Sequence, residues 1–149
     1  MKIEDELQEL LKQKPEALEF LLLFGQYSDL LDDQIDEAKS EERTRAISSL
    51  AARIFNTTYW QKYNAHLFLL ERVINNCYFD SVRWEKSDEQ WQRRIAKVLA
   101  SCGIMMIVAV LMIEFGEPVA NEWSLKLRQL SYEKQKNDPD ICNVQPANS

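Results

Sequence analysis

Val98-Leu99-Ala100-Ser101-Cys102-Gly103-Ile104-Met105-Met106-Ile107-Val108-Ala109-Val110-Leu111-Met112-Ile113 is apolar at every position but Ser101. Arg93, Arg94 and Lys97 precede it, and Glu114 and Glu117 follow. At 16 residues the run is shorter than the ~20 that a membrane span needs. A helix that is apolar all round must lie inside a protein or a membrane. The reading is therefore a central helix buried on all sides by its neighbours, with no membrane association.

Working outward from that run, the composition points to an all-α fold. Only three of the 149 residues are Gly and four are Pro, while 46% are hydrophobic and 28% charged. Good helix formers (Leu, Glu, Ala, Lys, Gln) dominate and strand-like alternation is absent. A chain of this length closes one hydrophobic core, which gives a compact single-domain bundle of five or six helices over residues 1–134. The polar, proline-containing residues 135–149 read as a disordered C-terminal tail.

The helices are placed by periodicity and punctuation. Ile3, Leu7, Leu10 and Leu11 mark a first helix over 3–13, and Pro15 suits the first turn of a second that runs to about Ala38. Ile47, Leu50, Ala51 and Ile54 mark a third over 43–55. A fourth spans Tyr59 to Glu85. Ser87 and Gln90 resemble a capping box that opens a fifth over Asp88 to Phe115, which Gly116-Glu117-Pro118 stops. A last helix covers Ala120 to Lys134.

Net charge excludes one large class of function. At −6 the chain is no general nucleic-acid binder, because neutralising phosphates takes clustered Lys and Arg. Arg83, Lys86, Arg93, Arg94 and Lys97 are interleaved with Glu85, Asp88 and Glu89, as in a solvated, salt-bridged turn. Cys77, Cys102 and Cys142 show no metal-ligand spacing, so free thiols in a reducing cytoplasm are expected. Met1 to Lys14 is charged throughout and carries no secretory signal pattern.

Candidate chemistry lies on the second and fourth helices. Leu69, Val73, Asn76, Asp80 and Trp84 follow at spacings of 4, 3, 4 and 4, so an amide and an acid sit one turn apart on what reads as the packing face. His66 shares that stripe and reads as a hydrogen-bonded core residue. On the second helix Phe20, Phe24, Tyr27, Leu31 and Ile35 form the packing face. Asp29, Asp33 and Asp36 lie opposite, and the acids of Asp32-Asp33-Gln34-Ile35-Asp36-Glu37 repel one another unless a cation or base collects them.

Carboxylates one turn apart, facing an acid and an amide on another helix, can hold Mg²⁺ or Mn²⁺ through oxygen ligands. The candidate ligands are Asp32, Asp33, Asp36, Asn76 and Asp80. The competing reading has Asp80 held by Arg72, Arg83 or a backbone donor. No Ser/His/Asp, Cys/His or glycine-rich phosphate motif can be assembled. The aromatics Tyr59, Trp60, Tyr63, Phe68, Tyr78, Phe79, Trp84 and Trp91 read mainly as core, and any exposed remainder points to a partner protein.

Leu31 to Glu37, Tyr59 with His66, Asn76 to Lys86, and Ser124-Leu125-Lys126-Leu127-Arg128 with Tyr132 resemble a family of small all-helical proteins of unassigned activity encoded by tailed bacteriophages and prophages. The resemblance covers about residues 20–132 and implies a phage origin and a host-cytoplasm setting. Where that family often has a polar pair in its penultimate long helix, this chain has Ile104-Met105. The acidic elements are distantly similar to the metal motifs of class I isoprenoid synthases and of all-α NTP pyrophosphatases. The second motif lacks the serine expected four residues after Asn76, and the pyrophosphatases' Glu-x-x-Glu pair is missing.

Two functions follow as expectations. One is a phage accessory protein that binds a host or virion protein, or a second copy of itself, through helix faces. The other is a Mg²⁺- or Mn²⁺-dependent phosphate or diphosphate hydrolase with helix-borne carboxylates.

Overall fold

The scarcity of Gly and Pro is matched by helix. Among the described residues, 2–133 and 135–142 of a computed structural model, all regular secondary structure is helical. The elements are α1 (Ile3–Leu11), α2 (Pro15–Asp36), α3 (Glu41–Phe55), α4 (Thr58–Glu85), α5 (Gln90–Leu99), α6 (Ile104–Phe115), α7 (Glu117–Glu133) and α8 (Pro139–Cys142).

Local chemistry sets the boundaries. Pro15 occupies the first turn of α2, where its missing N–H and fixed φ cost nothing. Ser40 caps α3 by accepting the Arg43 N–H at 3.2 Å, with Glu41 and Glu42 complementing the positive end of the helix dipole. The buried Thr57 hydroxyl donates to the Ile54 carbonyl at 2.7 Å and accepts the Trp60 N–H at 3.2 Å. One hydroxyl thus serves the end of α3 and the start of α4.

The chain's contacts gather into two compact units, one ending at Leu69 and the next beginning at Leu70, inside α4. In the first, α2 packs on α1 and α3 around Phe20, whose side chain is fully buried. Its ring lies 5.4 Å from Tyr59, 6.1 Å from Trp60 and 6.1 Å from Phe24. Tyr63 meets Tyr59 and Phe55 meets Trp60 at tilted angles; of the aromatics expected in the core only Tyr59 and Trp60 are buried, while Tyr63, Tyr78 and Trp84 are half-buried and Phe68, Phe79 and Trp91 exposed.

In the second unit α6 packs on α7. Met106, Val110 and Leu111 are buried on α6, and Ala120, Trp123 and Leu127 on α7. The expected fifth helix divides. Ser101 and Cys102 donate to the carbonyls three residues earlier, and Ile104, Met105 and Met106 do likewise, a tightened 3₁₀-type spacing that separates α5 from α6. This division and α8 account for the additional helices.

The central helix expected to be buried on all sides takes another form. Gln90–Phe115 is long and apolar enough to cross a membrane by length and composition, yet only 22% of its most apolar stretch is buried. Its neighbours cover one side of α6 and leave Val98 and Met112 exposed.

The segment from Gln135, expected to be disordered, also differs. Residues 135–142 include α8, which packs on α5, while 143–149 and Lys134 lie outside the described residues.

Gly116 makes the α6–α7 turn at φ 88° and ψ 170°, a region that side chains avoid. A Cβ there would meet Pro118 Cδ at an ordinary 3.8 Å, so the penalty is conformational. Gly116→Ala is expected to cost about 1–3 kcal/mol, read as a lower midpoint in urea unfolding at unchanged slope.

Candidate functional site

The face of α4 that packs is rotated from the one its spacing suggested. Beyond Tyr59 and Trp60 in its first turn, Leu67, Ile74 and Ser81 are the buried positions, seven residues apart, with Leu70, Cys77, Tyr78 and Trp84 half-buried beside them. Leu69 and Val73 are exposed, as are His66, Asn76 and Asp80. From His66 to Asp80 the stripe taken for core is therefore solvated, and neither Asn76 nor Asp80 carries a burial penalty.

Two features of the sequence hide this. From Leu67 to Ile74 α4 is apolar on both candidate stripes, so periodicity does not choose between them. Farther on, the buried position is a serine, whose hydroxyl donates to the Tyr78 carbonyl at 2.6 Å and so tolerates burial. Asp80 lies 3.9 Å from Arg83, both well exposed, a geometry that contributes little. Of the candidate partners for Asp80, Arg83 is the one found beside it; Arg72 pairs with Glu71 at 2.7 Å.

Asp32, Asp33 and Asp36 are exposed on the last turns of α2. Carboxylates at a helix C-terminus oppose its dipole, and the sequence called for a base to collect them. Arg43, from the first turn of α3, meets one acid of that run, Glu37, and the carbonyls at the helix end. Its guanidinium pairs with Glu37 at 2.7 Å and donates to the carbonyls of Asp33 at 3.3 Å and Ala38 at 3.2 Å. Gln34 Nε2 donates to Thr44 Oγ1 at 2.9 Å beside it. Glu37 and the carbonyl end of α2 are thereby satisfied, while Asp32, Asp33 and Asp36 stay on the surface. Arg43→Ala is expected to lower stability by about 1–2 kcal/mol in thermal unfolding, with Arg43→Lys recovering only part.

Among the described residues, no group of three or more His, Cys, Asp and Glu is placed to hold a metal ion. Asp32, Asp33 and Asp36 belong to the first compact unit, and Asn76 and Asp80 to the second. Ile104 and Met105 are half-buried in the first turn of α6.

The most organised polar cluster is built on Arg93, Arg94 and Lys97, which the sequence placed in a solvated turn with Glu85, Asp88 and Glu89 but which are half-buried and bonded to residues 135–142. Arg93 Nε donates to Asp140 Oδ1 at 3.0 Å and its Nη1 to the Ser87 carbonyl at 2.7 Å. Lys97 Nζ lies 3.3 Å from Asp138 Oδ2, Arg94 Nε donates to the Asp140 carbonyl, and Gln135 Nε2 donates to the Lys97 carbonyl at 3.1 Å. Residues 135–142 thus clasp the basic side of α5. A signal was present in Asp138-Pro139-Asp140, where an N-cap acid precedes proline at the first helical position. Asp138 accepts the Asp140 N–H at 2.9 Å.

That backbone bond, with Lys97 adding to it, holds the Asp138 carboxyl below its ordinary range. A lowered carboxylate pKa stabilises the fold above the unfolded value of 3.8 and loses that contribution as pH falls through the folded value.

Burial, reinforced by Cys77, pushes the Cys102 thiol up to about 11, and its Sγ donates to the Ile74 carbonyl at 3.4 Å. The raised value keeps Cys102 protonated at neutral pH, and stability falls as pH rises past the unfolded value of 9.0. Iodoacetamide at neutral pH is therefore expected to modify the exposed Cys142 well before Cys102, which reacts on denaturation; peptide mass spectrometry reads the order.

Comparison with family models, with curated proteins and with solved structures gives no match. The likeness to small phage proteins therefore rests on the residues quoted for it.

Proposed function

We propose that the chain is a non-enzymatic accessory protein that binds another protein through a helix face. Its resemblance to small phage and prophage proteins points to a host or virion protein in the host cytoplasm as the partner, with a second copy of the chain as the other form of the same interaction.

The exposed stripe of α4 carries the reading. Leu69 is 70% exposed and Val73 44%, with Asn76 and Asp80 continuing the same row. Phe68 at 57% and Phe79 at 46% flank it. Covering a large apolar side chain is worth about 1.5–3 kcal/mol, so such a row favours an occupant. The row runs from leucine and valine to an amide and an acid. It fits an amphipathic helix with apolar residues toward Leu69 and a cation toward Asp80, whose own Arg83 engages it weakly. The hydrolase reading, with Mg²⁺ or Mn²⁺ on Asp32, Asp33, Asp36, Asn76 and Asp80, gains no comparable support from the side-chain placement.

Site-specific photo-crosslinking in the producing cell tests this. A crosslinker at position 73 should join one discrete protein, or a second copy, and one at Gln61 should not. Leu69→Ser with Val73→Ser should remove the adduct while shifting stability by less than about 0.5 kcal/mol, since both side chains are exposed. No adduct from positions 69, 73 or 76 refutes the reading. So does a melting temperature that rises by several degrees with Mg²⁺ or Mn²⁺ in wild type but not in Asp33→Asn with Asp36→Asn, since saturating ligand adds ~2.7 kcal/mol at 100 times Kd.

A further inference from the structure

α5 covers the side that a soluble helix ordinarily leaves open. Trp91, Ile95 and Val98, at i, i+4 and i+7, are 51%, 40% and 50% exposed. Arg93, Arg94 and Lys97, on the other arc, are half-buried beneath residues 135–142. A surface helix usually buries its apolar stripe and solvates its charges. In α5 an acidic segment takes the cations, and the apolar stripe is left part-exposed, with one edge of Trp91 against Trp84 at 5.6 Å.

We propose that α5 is a membrane-surface helix that lies in the interface of an anionic bilayer, and that residues 135–142 are an acidic cover which competes with lipid headgroups for Arg93, Arg94 and Lys97. The proposal rests on α5 and is independent of the α4 row.

The helix has the composition such a role requires: a Trp and aliphatic residues on one arc, Arg and Lys on the other, and polar or charged residues at half of its ten positions. Arg and Lys stems are long enough to run along the apolar arc and reach phosphates at its edge. Asp138 and Asp140 already hold these cations by charge-assisted bonds of the kind an anionic headgroup offers. Arg94 Nη2 is buried without a hydrogen-bond partner among the described residues, which leaves a donor for a headgroup when the cover opens.

The geometry favours lying on a bilayer over crossing it. The 3₁₀-type turn at 100–103 interrupts the run, and α6 keeps Met106, Val110 and Leu111 buried where it packs on α7. A net charge of −6 opposes anionic surfaces at long range, so attraction is local and limited by the cover.

The test is co-sedimentation of the full chain, purified without detergent, with sucrose-loaded vesicles of phosphatidylcholine alone or mixed with phosphatidylserine. Wild type should sediment with the mixed vesicles only, and added salt should release it. Asp138→Asn with Asp140→Asn should raise the partition coefficient about fivefold for each cation freed. Trp91→Ser with Ile95→Ser and Val98→Ser should lower it about tenfold or more while helical circular dichroism is retained.

The proposal is overturned if the Asp138→Asn, Asp140→Asn variant binds neither vesicle, or if the triple-serine variant binds as wild type does. Retention after an alkaline carbonate wash would indicate a spanning helix and also overturn it. So would a dimer in sedimentation equilibrium that the triple variant abolishes with no vesicle binding by any form, because the stripe then serves a second copy.

Discussion

The hydrophobic run at 98–113 has to remove apolar surface from water, and α7 is its principal cover within the second unit. Much of that unit follows from meeting this demand. Gly116 adopts a backbone open to few other residues so that α7 can return along α6 at once. Trp123 and Leu127 supply bulk against a helix that offers mostly Met, Val and Leu. α7 buries one side of α6 and α8 packs on α5, and the unburied remainder is the stripe of Trp91, Ile95 and Val98 on α5 and Met112 on α6.

Helices were legible where a local rule acts alone. Pro15 at the opening of α2, the stop at Gly116 and the extent of α4 to Glu85 follow from capping chemistry and backbone stereochemistry, which need no knowledge of neighbours. The division of the apolar run was not legible. Gly103 hinted at it, but a glycine in an apolar helix is often tolerated and the tightened turn involves hydrogen bonds that leave no compositional trace. The order in residues 135–142 also escaped notice, because its cause is tertiary: Asp138 and Asp140 are polar residues that meet Arg93 and Lys97 about forty positions earlier.

The candidate site shows a sharper limit. Which residues of α4 are polar can be read directly; which side of α4 is covered cannot, since Leu67 to Ile74 offers two equally apolar rows. Choosing the wrong row turned Asn76 and Asp80 into a buried anomaly that called for a metal. In the structure they are surface groups, and at the end of α2 Arg43 pairs with Glu37 and caps the Asp33 carbonyl. That Glu37 is the acid of this run to meet a base depended on how α3 packs on α2.

Both compact units are assembled from consecutive stretches of chain, with α2 on α1 and α3 in one and α7 on α6 in the other. Contacts so close in sequence carry little loop-closure cost, which favours fast folding. During synthesis the first unit has its whole complement of residues once Leu69 has left the ribosome. Its aromatic centre around Phe20 can then close before the apolar run at 98–113 emerges. The boundary inside α4 thus lets a first unit of local contacts close before the most apolar stretch of the chain is made.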